Sequence, residues 1–113
     1  MKTLIIDDDG LGIRNEILNR MAVAEGAKSI EFALSSAEAI QKLGENQYDM
    51  VFFDHDLGGS DTTMKVIDFL EERQMFLNKA VVHTANTTGA NRLVLALGKI
   101  AGKVRRRSIL FNY

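Results

Sequence analysis

Acids and histidines stand at the ends of short apolar runs: Asp7 and Asp8 after Leu4-Ile5-Ile6, Asp54 and His55 after Met50–Phe53, and His83 after Ala80-Val81-Val82. Carboxylates crowded together raise one another's pKa or require a cation. Mg2+, or Mn2+, suits them, because such an ion takes oxygen ligands and bridges to phosphate. Asp7, Asp8 and Asp54 are therefore the candidate metal ligands. Asp54 has two readings, as a nucleophile towards a phosphoryl group or as a metal ligand alone. Histidine titrates near neutral pH, so His55 and His83 are a candidate general base and general acid. Phosphoester hydrolysis uses such a pair: one group activates water and the other protonates the departing oxygen. For each histidine the alternative is a ring packed under a helix and hydrogen-bonded to backbone.

The neighbouring residues extend this chemistry. Asp56 is either a further ligand or a solvated loop acid. Thr84 and the turn Asn86-Thr87-Thr88-Gly89 offer hydroxyls, an amide and a helix N-terminus, whose free N–H groups attract phosphate. Thr84 and Asn86 are the candidate phosphate contacts, with plain N-capping as the alternative for the turn. Asp8 and Asp9 would equally suit the start of a helix. Arg106, in the basic stretch from Lys99 to Arg107, is a third candidate phosphate contact. Its alternative is an edge strand protected by charge. Phe111 and Tyr113 give thin support for stacking nucleic-acid bases. Gly58-Gly59 is too short to count as a phosphate loop.

These residues need a scaffold that brings chain-distant strand ends together. Apolar runs without alternation suit parallel strands buried on both faces, and open parallel sheets bind ligands at the carboxyl ends of their strands. The pattern predicts strands at about 2–7, 29–34, 50–54, 80–83 and 103–109. The first helix would face inward through Ile13, Ile17, Met21 and Ala24 and stop at Gly26. Ser35 with Glu38 forms a capping-box signal for a second helix running to Gly44. A third would bury Met64, Ile67, Leu70 and Phe69. A fourth, capped from Asn86, Thr87 or Thr88, would bury Ala90, Leu93, Val94 and Leu97 and close at Gly98. Alternating strands and helices imply an α/β fold with right-handed crossovers. One difficulty is built in: strand alternation sets Asp54 and His55 on opposite faces, and likewise His83 and Thr84. Both histidines reach one pocket only if it straddles the strand ends.

With 113 residues the chain fits a single domain. Its 46% hydrophobic and 26% charged content is that of an ordinary globular protein, and a net charge of −1 argues neither for nor against a polyanionic partner. The absence of cysteine excludes disulfides, thiol nucleophiles and thiolate metal sites. No apolar stretch approaches the roughly 20 residues of a membrane span, and a lysine followed by aspartates is no signal peptide. A cytoplasmic protein with no membrane partner is expected.

Ile5-Ile6-Asp7-Asp8-Asp9 resembles the first strand and acidic pair of response-regulator receiver domains. Tyr48–Asp54 is similar to their third strand, which ends in the phosphorylated aspartate, and Val82-His83-Thr84-Ala85 to their fourth. Phe53-Asp54-His55-Asp56-Leu57-Gly58, with His83-Thr84-Ala85-Asn86 and Gly89, is closer still to the cyclic-phosphate-processing receiver-like family of phages and bacteria. The resemblance implies a flavodoxin-like three-layer sandwich. Its five-stranded parallel sheet would have the order 2-1-3-4-5, with about four helices and no fifth. Two departures from ordinary receivers stand out. Arg105-Arg106-Arg107 replaces the lysine and proline that close strand five, and Thr62 stands where a glycine is usual. The function implied is metal-dependent hydrolysis or binding of a cyclic phosphate or phosphoester. The ligand would be a small phosphorylated molecule or the cyclic phosphate end of an RNA or nucleotide. The alternatives are a signalling receiver phosphorylated on Asp54 and a non-catalytic binding module. An uncovered fifth strand leaves a homodimer open.

Overall fold

The computed structural model describes residues 2–9, 13–84 and 86–107, and all but the side chains of residues 13 and 14 among them. Strand and helix alternate: β1 (Lys2–Ile6), α1 (Ile13–Ala24), β2 (Ser29–Ala33), α2 (Ser36–Glu45), β3 (Met50–Phe53), α3 (Met64–Glu72), β4 (Leu77–Val82), α4 (Thr87–Leu97) and β5 (Ala101–Arg106). Every strand pair is parallel and the sheet order is β2-β1-β3-β4-β5, as expected. No helix is long and apolar enough to cross a membrane among the described residues.

The unalternating runs have a direct structural cause. Ile6, Phe53 and Val82 point towards α2, α3 and α4, while Ile5, Phe52 and Val81 point towards α1. Strands covered on both sides must be apolar at every position. β2 lies at the edge, and its half-exposed alternation fits that place.

Local signals set the helix ends. Ser35 Oγ accepts the N–H of Glu38 at 3.1 Å, but the other half of the capping box is not made. The Glu38 carboxylate lies 3.5 Å from Lys42 Nζ instead. In α1 the buried stripe is Leu18, Met21 and Ala22, with Ile17 beside it; Ala24 is exposed, and the side chain of Ile13 lies outside the described part. Gly26, at φ 104°, ends the α1 segment in the left-handed region that glycine tolerates.

β4 and β5 both begin earlier than the apolar pattern suggests. Leu77 pairs with Ala101, and its N–H donates to the Ile100 carbonyl at 2.8 Å. Polar Asn78 and Lys79 hide this start in the sequence. Residues 108 and 109, and with them Phe111 and Tyr113, lie outside the described chain.

On the α1 side, charge covers the β4–β5 half of the sheet. Glu25, just past α1, receives Lys79, Arg105 (2.6 Å) and Arg107 (3.1 Å), and its carboxylate is 5% exposed. Burial alone would raise its pKa, but the three cations outweigh that and hold it below the usual carboxylate value.

Candidate metal and phosphate site

The register of the sheet builds the site. Ile6 pairs with Phe53 and Phe53 with Val82, so the next residues, Asp7, Asp54 and His83, form one row across three strands. Backbone bonds continue past the strand ends: Asp7 N–H to the Ala33 carbonyl (3.0 Å), Asp54 N–H to Ile6 (3.2 Å) and His83 N–H to Phe53 (3.0 Å). The row is held as firmly as the sheet itself.

Its side chains are buried: Asp7 and His83 are 0% exposed and Asp54 3%. Asp7 Oδ1 accepts the N–H of Asp9 at 2.9 Å, and Asp7 Oδ2 lies 3.1 Å from His83 Nε2. One ligand atom each from Asp7, Asp54 and His83 lie within 4.8 Å of one another, close enough to share a metal ion. The His83 ring is tilted 45° against Phe52, and its Nδ1 has no hydrogen-bond partner.

Above this row opens a cleft of about 380 Å³, lined by Asp8, Asp54, Asp56, Gly58, Gly59, Thr84 and Asn86. It therefore gathers three carboxylates and, among the described lining residues, no lysine or arginine. Gly58 (φ 92°) and Gly59 (φ 57°) turn the β3–α3 loop through conformations that strain other residues. Asp56 bridges Thr62, and Leu57 N–H donates to the Asp61 carbonyl at 2.9 Å. Asp61 then accepts the Ser36 N–H (2.9 Å) and hydroxyl (2.5 Å) at the first turn of α2. Burial opposes ionisation of Asp61, but these bonds and Lys65 hold its pKa below the ordinary value. Sequence reasoning missed this tie, because nothing local links Asp61 to a helix 25 residues away.

Asn86 connects the other wall. Its Oδ1 accepts the Gly89 N–H at 2.9 Å and caps α4, while its Nδ2 donates to Asp56 Oδ2 at 3.0 Å. Its backbone N–H donates to Thr84 Oγ1 at 3.2 Å. The hydrogen bond donated by Asn86, then the one donated by His55 Nδ1, hold the Asp56 carboxyl below the usual range, so it is ionised at neutral pH. With both ends of its amide engaged, Asn86 positions Asp56 and α4.

The other candidates lie apart. His55 points to the opposite face from Asp54, is 8% exposed and packs beneath Gly89 of α4. The two histidines are therefore not brought to one pocket, and neither lines the cleft. Arg106 pairs with Val82 and gives its guanidinium to Asn91 Oδ1 at 2.8 Å. It lines a separate groove between α4 and β5, with Val94, Leu95 and Val104. The residue that continues the row of Asp54 and His83 is Arg107, whose N–H donates to the Val82 carbonyl at 2.8 Å and whose guanidinium turns to Glu25.

Solved structures similar to this chain are receiver domains. The response regulator protein TrrA from Thermotoga maritima, solved in complex with Mg(2+)-BeF, matches with a TM-score of 0.70 at 23% identity, over 99% of this chain and 91% of that one. A two-component response regulator from Clostridium difficile gives a TM-score of 0.68 at 23% identity, over 96% and 83%. A CheY-like receiver domain protein from Methanospirillum hungatei JF-1 gives 0.63 at 20%, over 94% and 80%. At these identities the likeness is one of fold. No curated protein matches the chain. The model of the cyclic-phosphate processing receiver domain matches residues 2–99, and the chain belongs to that family.

Proposed function

We propose that this receiver domain processes a cyclic phosphate or phosphoester in a metal-dependent reaction at the acidic cleft. The observation that carries this reading is the charge of the cleft: Asp8, Asp54 and Asp56 line it, and no cationic side chain does among the described residues. An anionic ligand entering there needs a cation beside it. A divalent ion, Mg2+ or Mn2+, fits here: Asp7 and Asp54 bring ligand atoms within 4.8 Å of one another, Asp8 lines the cleft beside them, and TrrA is a relative in fold solved in complex with Mg(2+)-BeF. Such an ion supplies charge neutralisation at the phosphoryl oxygens and a more acidic bound water.

The chain's own groups do the rest. Thr84 Oγ1 accepts the Asn86 N–H, which leaves its proton to donate to a phosphate oxygen. Asp56, ionised in the cleft, accepts a proton from an attacking water, and the departing ring oxygen takes its proton from solvent in the open cleft. Asn86 holds both in place. His83 lies beneath the cleft and His55 on the far face of the sheet, so neither is given the acid–base role that residue type alone suggested.

The test is ring opening of 2′,3′-cyclic nucleotides, 3′,5′-cyclic nucleotides and RNA ending in a cyclic phosphate, each with Mg2+, Mn2+ or chelator. Metal-dependent opening, lost in Asp54→Asn, is expected. No opening of any member with either ion would overturn the enzymatic reading. One observation favours a second reading: Asp54 reaches the cleft beside Thr84, which suits a phosphoacceptor. Labelling of Asp54 by acetyl phosphate without ring opening would favour it.

A further inference from the structure

We propose that His83 is the nitrogen ligand of a mixed centre with Asp7 and Asp54, and that it makes the site prefer Mn2+ over Mg2+. The proposal rests on the metal-dependent reading above and names its ion. Three observations carry it. The three side chains end adjacent strands in one row, so the backbone fixes their spacing before any ion arrives. Their ligand atoms lie within 4.8 Å of one another. Octahedral ligands at about 2.1 Å stand roughly 3.0 Å apart when adjacent and about 4.2 Å when opposite. The 3.1 Å between His83 Nε2 and Asp7 Oδ2 is the adjacent spacing.

The surroundings of the ring point the same way. His83 is 0% exposed, so its ring is held by protein contacts. Here the one engaged nitrogen faces a carboxylate of the row. Phe52 closes the side of the ring and fixes its direction.

The donor chemistry then selects the ion. Mg2+ keeps oxygen ligands and sheds its waters reluctantly, whereas Mn2+ accepts carboxylate and stands above it in affinity for imidazole nitrogen. The chain has no cysteine to draw softer ions. The competing role for His83 is that of a positioning residue, donating Nε2–H to Asp7 while oxygens alone hold the ion.

The test uses the full chain: calorimetric titration with Mn2+ and with Mg2+, and pulsed electron paramagnetic resonance of the Mn2+-loaded protein. We expect Mn2+ to bind about tenfold or more tightly than Mg2+, with a histidine nitrogen coupled to the manganese. In His83→Gln, Mn2+ affinity falls by about ten- to a hundred-fold, Mg2+ affinity changes far less, and the coupling disappears. Because the chain has only two histidines, persistence of the coupling in His55→Ala assigns it to His83 even if His83→Gln does not fold. Binding of both ions without nitrogen coupling would overturn the proposal and leave the metal-dependent reading standing. If neither ion binds, both fall.

Discussion

A β-carbon on Gly89 would sit 2.4 Å from Cγ of His55. The first turn of α4 thus rests directly on the imidazole that follows β3. The same imidazole bonds to Asp56, and Asp56 to the cap of that helix, so His55, Asp56, Asn86 and Gly89 set the height of α4 above the cleft as one unit.

Gly89→Ala is expected to destabilise the protein by about 1–3 kcal/mol through overpacking. Pairing it with His55→Ala removes the obstructing ring, and the double variant recovers part of the loss. Urea denaturation of the four proteins measures the coupling. Simple additivity would show that the ring is not what excludes the methyl group.

Asp54→Asn removes one carboxylate of the row. The same change removes the response to metal. Wild type, by contrast, gains about 2.7 kcal/mol when the ion stands at a hundred times its dissociation constant. Thermal melts with and without Mn2+ or Mg2+ check both halves.

Glu25 makes stability pH-dependent. Its folded pKa lies below the unfolded value of 4.5, so the unfolded chain binds the proton more readily. The contribution is complete above that unfolded value and is lost as pH falls through the folded one. Glu25→Gln should cost about 1.5–3 kcal/mol at pH 7 by leaving Lys79, Arg105 and Arg107 facing one another. It should also flatten the acid limb of the stability curve, as read by chemical denaturation across pH.

Asn86→Ala is expected to cost about 1 kcal/mol as a lost N-cap. It also releases Asp56, whose carboxyl should titrate closer to its ordinary value of 3.8. An NMR titration of the Asp56 carboxyl separates this from loss of the cap alone. An unmoved midpoint would mean that His55, not Asn86, governs its ionisation.

Much of the fold was legible because parallel strands covered on both faces must be apolar throughout, and β1 and β3 say so plainly. The start of β4 was not, since Asn78 and Lys79 are tolerated on strand residues that lie near one end of the sheet. The convergence of Asp7, Asp54 and His83 followed from their common position at strand ends. The step from Arg106 to Arg107 needed the β4–β5 register, which no local pattern encodes. Asp61 on Ser36 and Asn86 on Asp56 are pairs between distant segments whose partners a single sequence does not mark. The structure does not bring the two histidines to one pocket, and the sequence already carried the reason: alternation along the strand sets His55 on the face away from Asp54.

The tie from Asp61 to the first turn of α2 has a kinetic consequence. The β3–α3 loop is bridged within itself and fastened at its far end, so the β3 side of the cleft has no hinge. That wall behaves as a fixed port. Binding of the proposed ligand along it is expected to follow single-exponential kinetics in stopped-flow mixing, without a separate isomerisation phase.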